Sequence, residues 1–193
     1  MKKIIPAILA ILTLSSCLKL QTNEPYEGKS PDRNVNMTCW EYLQSRPELF
    51  TSMVKGIELC GLEDCYKQNT QPYTYLLLTE SAIAPKVNNA IESGNDIAIA
   101  ELKAILLFHI IRGYYDAYTN IDFSVTYCRT LLNDEDARMS LCVTDHDSNR
   151  SYYGRLAAMT DCGSSTVRYA VESNYLATNG PMHVFDAICS YKD

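Results

Sequence analysis

Apolar positions recur at helical spacing through the first half of the chain and at strand spacing through the second. In "TCWEYLQSRPELFTSMVKGIELCGLEDC", residues 38–65, Leu49, Phe50, Met53, Val54, Ile57 and Cys60 form a stripe of helical period. Thr38 with Glu41, and Ser45 with Glu48, have capping-box spacing; Pro47 suits a first helical turn and Gly61 a helix stop. "YTYLLL", residues 73–78, is a β-prone apolar run and predicts a buried strand. Helical patterns follow over residues 79–91 and in "DIAIAELKAILLFH", residues 96–109. After Gly113 the segments "FSVTYCRTLL", "RMSLCVTDHD", "SYYGRLAAM", "TVRYAVES" and "MHVFDAIC" predict short strands. Turn residues separate them at Asn133-Asp134, Asp147 to Asn149, Cys162-Gly163 and Asn179-Gly180. Helices gathered early and strands late, without βαβ alternation, predict an α+β fold with mostly antiparallel strands.

The N-terminus lies outside this pattern. Lys2 and Lys3 precede an apolar run, Ile4 to Leu14, of 11 residues, too short for the roughly 20 that span a bilayer. Small residues then lead to Cys17, and "LSSC" resembles a bacterial lipobox, in which cleavage precedes the cysteine and lipid joins its sulfur. The expectation is a signal peptide over 1–16, lipidation of Cys17, a polar tether over 17–36 and a domain over 37–193. As a flexible coil the tether would span about 25 Å. Leu18 after the cysteine does not argue for inner-membrane retention, and an outer-membrane lipoprotein is expected, facing either the periplasm or the cell surface.

Charge narrows the partners. Without residues 1–16, which hold two lysines and no acids, 15 basic side chains face 23 acidic ones, a net charge of −8. No basic run offers a nucleic-acid footprint, so membrane contact is expected through the N-terminal lipid and not through charge. Besides Cys17 there are seven cysteines: Cys39, Cys60, Cys65, Cys128, Cys142, Cys162 and Cys189. Outside the cytoplasm such a set forms disulfides or buried thiols, and the odd number leaves at least one unpaired inside the chain. No C-x-x-C, G-x-S-x-G or phosphate loop occurs. "DHDSNRSYY", from Asp145, begins like a calcium loop but has Arg150 where glycine belongs and Leu156 where glutamate belongs. It reads as a hairpin loop, and Asn133 to Asp136 as a solvated turn. No metal, cofactor or catalytic residue is expected.

Three blocks resemble the fasciclin (FAS1) domain family: "YTYLLLTESAIA", "LKAILLFHIIRGYY" and "SNYLATNGPMHVFDAI". They stand in the order and spacing of that family's T-x-F-A-P-T strand-turn, its L-x-x-x-L-x-Y-H-V-V-x-G helix-to-strand block and its N-G-x-x-H-V-I-D block, and the likeness covers about residues 39–190. Leu77 to Glu80 and Phe108 depart from the family pattern. The resemblance implies a wedge of small β-sheets with helices along one side, acting in adhesion or in binding a protein or glycan.

His109 then falls where a helix hands over to a core strand. Two readings stand: a fastener that bonds a carbonyl left open at the helix end, or part of a recognition pair, Phe108-His109, at the place of the family's tyrosine-histidine pair. His183 has the same fastening reading, with Asp186 three residues on. Tyr114-Tyr115 and Tyr152-Tyr153 sit in strand-like stretches, where alternation turns one ring out. Tyr115 or Tyr152 is therefore a candidate contact residue. The rival functions are an accessory or assembly subunit docking to an envelope complex, and an envelope enzyme using a cysteine or histidine.

Overall fold

The computed structural model describes residues 32–116, 120–121, 124–133, 137–144, 155–160 and 167–189; for Thr144 and residues 155–160 it describes the backbone alone. The Cys162-Gly163 turn, the calcium-like loop and Tyr152 lie outside these residues.

Helix α1 spans Cys39–Ser45. Its capping box forms as the sequence predicts: Glu41 N–H donates to Thr38 Oγ1 at 3.2 Å, and Thr38 N–H donates to Glu41 Oε2 at 2.7 Å. The second predicted box does not form. Ser45 remains in α1 and its hydroxyl donates to Tyr42 O, so Arg46 becomes the joint and α2, Pro47–Cys60, opens on Pro47 without a side-chain cap. Gly61 ends α2 in the left-handed conformation, φ 63°. A short helix α3, Glu63–Lys67, leads to strand β1, Tyr73–Leu78. Helices α4, Glu80–Ser93, and α5, Asp96–Phe108, follow and pack with α2. The Glu80 carboxylate ties α4 to α2, accepting from Ser52 N–H at 2.7 Å and Ser52 Oγ at 2.5 Å.

The strands after α5 are β2, Ile110–Arg112; β3, Thr126–Arg129; β4, Arg138–Thr144; β5, Arg155–Thr160; β6, Arg168–Ala177; and β7, Gly180–Phe185. They pair in the order β2-β1-β7-β6-β5-β4-β3. The β1–β7 pairing is parallel and the others are antiparallel. β6 serves two partners: its first residues pair with β5 and the remainder with β7. The outer strands of that order also meet, since Ile111 bridges Thr130 and Leu131 N–H donates to Ile110 O at 2.8 Å. The fold is α+β, with small, mostly antiparallel sheets and helices packed beside them.

Residues 33–36 join this body, earlier than the Met37 start that composition suggests. Asn34 bridges Leu176, Val35 N–H donates to Leu176 O at 3.0 Å, and Leu176 N–H donates to Arg33 O at 2.8 Å. A short polar run can pair with a strand edge through its backbone alone, so side-chain pattern gives no sign of it. The cysteines also depart from the disulfide expectation. Cys39, Cys60, Cys65, Cys128, Cys142 and Cys189 are free thiols, all buried except the half-buried Cys65. They fill the interior as small apolar side chains.

The Asn179-Gly180 turn between β6 and β7 is the tightest point of the fold. Gly180 has φ 144°, and a Cβ there would lie 1.8 Å from Tyr73 O. Only glycine lets β7 come this close to β1. Gly180→Ala is expected to destabilise the chain by about 4 kcal/mol or more. Gly61→Ala, at a left-handed helix end where nothing lies within 4 Å of the added carbon, is expected to cost about 1 kcal/mol. Urea denaturation of the two variants measures the contrast.

Candidate functional site

His109 follows the last residue of α5 and is 1% exposed. Its Nδ1 lies 2.8 Å from Ile105 O in the last turn of α5, and its Nε2 accepts from Cys189 N–H at 3.1 Å. The second bond requires an unprotonated Nε2, so Nδ1 carries the proton and donates to Ile105. Burial lowers the pKa to about 4, and the bond to Ile105 opposes that shift. Here the ring is a fastener: it joins the helix end to the segment that follows β7.

His183 repeats the arrangement within β7 and is fully buried. Its Nε2 lies 3.0 Å from Tyr115 O, and its Nδ1 accepts from Asn174 N–H at 3.2 Å. Asn174 sits in the irregular stretch of β6 with φ 63°, where the ladder to β7 shifts register. The imidazole replaces the partner that an unbroken ladder would give this N–H. Burial again lowers the pKa to about 4. The acid that acts on His183 is Asp116, itself paired with Arg33 at 2.7 Å, rather than the sequence neighbour Asp186.

Asn179, a turn residue by its sequence, is a third fastener. Its Oδ1 accepts from Cys39 N–H at 2.8 Å, one of the open donors at the start of α1. Its Nδ2 faces Tyr66 O at 2.8 Å, Gln68 O at 3.1 Å and the Tyr75 hydroxyl at 3.0 Å. One amide thus holds α1, the end of α3, β1 and the hairpin together.

These placements decide what the candidate residues offer. Phe108 is fully buried and the His109 ring is internal, so the pair presents no side-chain surface to a ligand. Tyr115 is half-buried: its N–H donates to Thr74 Oγ1 at 2.8 Å, and its carbonyl receives His183. Of the Tyr114-Tyr115 pair the outward ring is Tyr114, 41% exposed. Tyr114 stands two residues after the exposed Arg112 and shares its outward parity, with Gly113, φ 112°, between them. A more exposed ring is Tyr127 on β3, at 61%. The alternation of "TYCR", with Cys128 inward and Tyr127 and Arg129 outward, carried that signal.

A cleft of about 600 Å³ opens between α4, α5 and the segment after β7. Lys86 and Glu101 pair at 2.6 Å on its wall, and Arg168, Asp186, Ile105 and Cys189 also line it. His109 bonds the backbones of Ile105 and Cys189 but is itself buried behind them. Burial pushes the Cys189 thiol up to about 12, which keeps it protonated at neutral pH. A neutral imidazole with both nitrogens bonded and a protonated thiol do not form a nucleophile-base pair. Among the described residues no group of histidine, cysteine, aspartate and glutamate is placed to hold a metal, and no helix is long and apolar enough to cross a membrane.

No family model matches the sequence, and no curated protein does. Among solved structures, the chain is similar to the FAS1 domain pair of the insect cell adhesion molecule Fasciclin I, with a TM-score of 0.54 and 15% sequence identity. The match covers 79% of this chain and 50% of that one, so the chain spans about half the length of the domain pair. The fold is therefore fasciclin-like.

The histidines make stability depend on pH. The unfolded imidazoles take up protons near pH 6.5, whereas the folded ones resist until about 4. The unfolded chain binds more protons between these values, so their contribution is complete above pH 6.5 and is lost as pH falls through the window. The loss by pH 4 is about 3 kcal/mol per histidine. Denaturation at pH 7 and pH 5 should show the drop, and His109→Gln or His183→Gln should flatten it.

Proposed function

We propose that this chain is a non-catalytic binding or adhesion module of the cell envelope, held at a membrane by lipid on Cys17. The observation that carries the reading is the fasciclin-like fold, whose solved neighbour belongs to a cell adhesion molecule. The internal use of His109 and His183, and the protonated Cys189, support binding over catalysis. A lipobox-like "LSSC" after a short apolar run supports the anchor and an outer-membrane location. The polar stretch after Cys17 gives reach, and many copies on one membrane raise effective affinity without new contacts.

The contact face is assigned to the strand side, with Tyr114 and Tyr127 as its exposed rings. Tyr152, outside the described residues, is kept as a proposed contact residue. Amphipathic rings of this kind suit a protein or a sugar surface. The partner is a protein or glycan exposed in the envelope.

Liposomes carrying the full lipidated chain test this reading against envelope fragments. They are expected to adhere, Cys17→Ser to leave the chain soluble after membrane fractionation, and Tyr114→Ala with Tyr127→Ala to reduce adhesion about tenfold. Adhesion unchanged in the double variant removes the contact face. A single dominant crosslinked partner in intact cells would favour an accessory subunit of an envelope complex.

A further inference from the structure

We infer that a row of three arginines at the β2–β3–β4 closure is a binding site for an acidic glycan, recognised through its carboxylate or sulfate groups. This rests on the binding-module reading and names the ligand class. Arg129 and Arg138 are direct partners in the β3–β4 register. Ile111 bridges Thr130 antiparallel, and continuing that register by one residue sets Arg112 beside Arg129. Three guanidinium groups thus stand on neighbouring strands, with Arg129 in the middle and about 5 Å from each of the other two at the backbone.

Such a row is costly without a counter-charge, because like charges facing each other across strands repel. None of the three forms an ion pair among the described residues; the ion pairs there are Arg33–Asp116, Arg46 with Glu48 and Glu172, and Lys86–Glu101. All three are exposed. They line one cavity of about 550 Å³ together with Thr130 and Asn133. Arg112 is held in place by its Nε donating to Thr130 O at 3.2 Å, which leaves its terminal nitrogens open to the cavity. In a chain of net charge −6 this concentration of cations stands out against its surroundings.

The chemistry selects the ligand. Arginine forks bind planar oxyanions with two parallel hydrogen bonds. A sugar ring is about as long as the spacing between strands, so successive charged sugars meet successive arginines. Tyr127 lies two residues before Arg129 on the same outward face of β3, placed to cover a sugar ring.

Calorimetry on the full chain in zwitterionic detergent tests the site with three probes: tri-galacturonate for carboxylate, sucrose octasulfate for sulfate, and neutral maltotriose. The wild type is expected to bind at least one anionic probe, more weakly as salt rises, and to ignore maltotriose. Which anionic probe binds distinguishes a uronate-bearing glycan from a sulfated one. Arg112→Gln, Arg129→Gln and Arg138→Gln together should weaken binding at least tenfold while the thermal midpoint holds or rises. Lys55→Gln with Lys103→Gln, exposed elsewhere, should leave it unchanged. A wild type that binds neither anionic probe overturns the proposal. Equal binding by the arginine variant, an equal loss in the lysine variant, or maltotriose binding as tight as the anions also overturns it. Probe binding without liposome adhesion would leave the site and remove the adhesive reading; adhesion without probe binding would do the reverse.

Discussion

Backbone groups buried where elements join must find partners, because an open N–H or carbonyl away from water costs about as much as a lost hydrogen bond. Three side chains meet that constraint here. Asn179 closes the start of α1 and the end of α3, His109 closes the end of α5 and the segment after β7, and His183 closes the break in β6. Each joins stretches far apart in sequence: Asn179 and Cys39 are separated by 140 residues, and His109 and Cys189 by 80. The parallel β1–β7 pair lies between these joints, and Gly180 lets it close.

The same chemistry that suits the imidazoles to bracing unsuits them for catalysis. A neutral ring with one nitrogen donating and the other accepting is fully satisfied in a dry interior, and moving a proton would break a structural bond. The thiols follow similar logic, since burial raises their pKa and holds them as inert apolar filling. Among the described residues the surface carries exposed tyrosines, a mixed-charge cleft, and arginines on neighbouring strands. The proposed binding role rests on these features.

Local chemistry made much of this fold legible in the sequence. The Thr38–Glu41 box, the Gly61 stop, the run at Tyr73–Leu78 and the Asn179-Gly180 turn each depend on residues close together in the chain. The fastening role of His109 was legible because a helix pattern meets a strand pattern at that residue. What the sequence concealed depends on distant pairing. Ser45 met the spacing rule for a cap, yet Arg46 took the joint. Along Tyr114-Tyr115 the pattern says that one ring faces out but not which; the structure exposes Tyr114, in step with Arg112. The arginine row exists only through the register of three strands, where residues 112, 129 and 138 become neighbours.

The imidazole tautomers test the bracing role most directly. Nitrogen-15 spectra of the histidine side chains, recorded from pH 7 to pH 5, distinguish a ring protonated on Nδ1, on Nε2 or on both. The expected result is His109 as the Nδ1–H form and His183 as the Nε2–H form, both neutral across that range and slow to exchange. Either ring becoming a cation near pH 6.5, or averaging between its two neutral forms, would contradict a structure built around them.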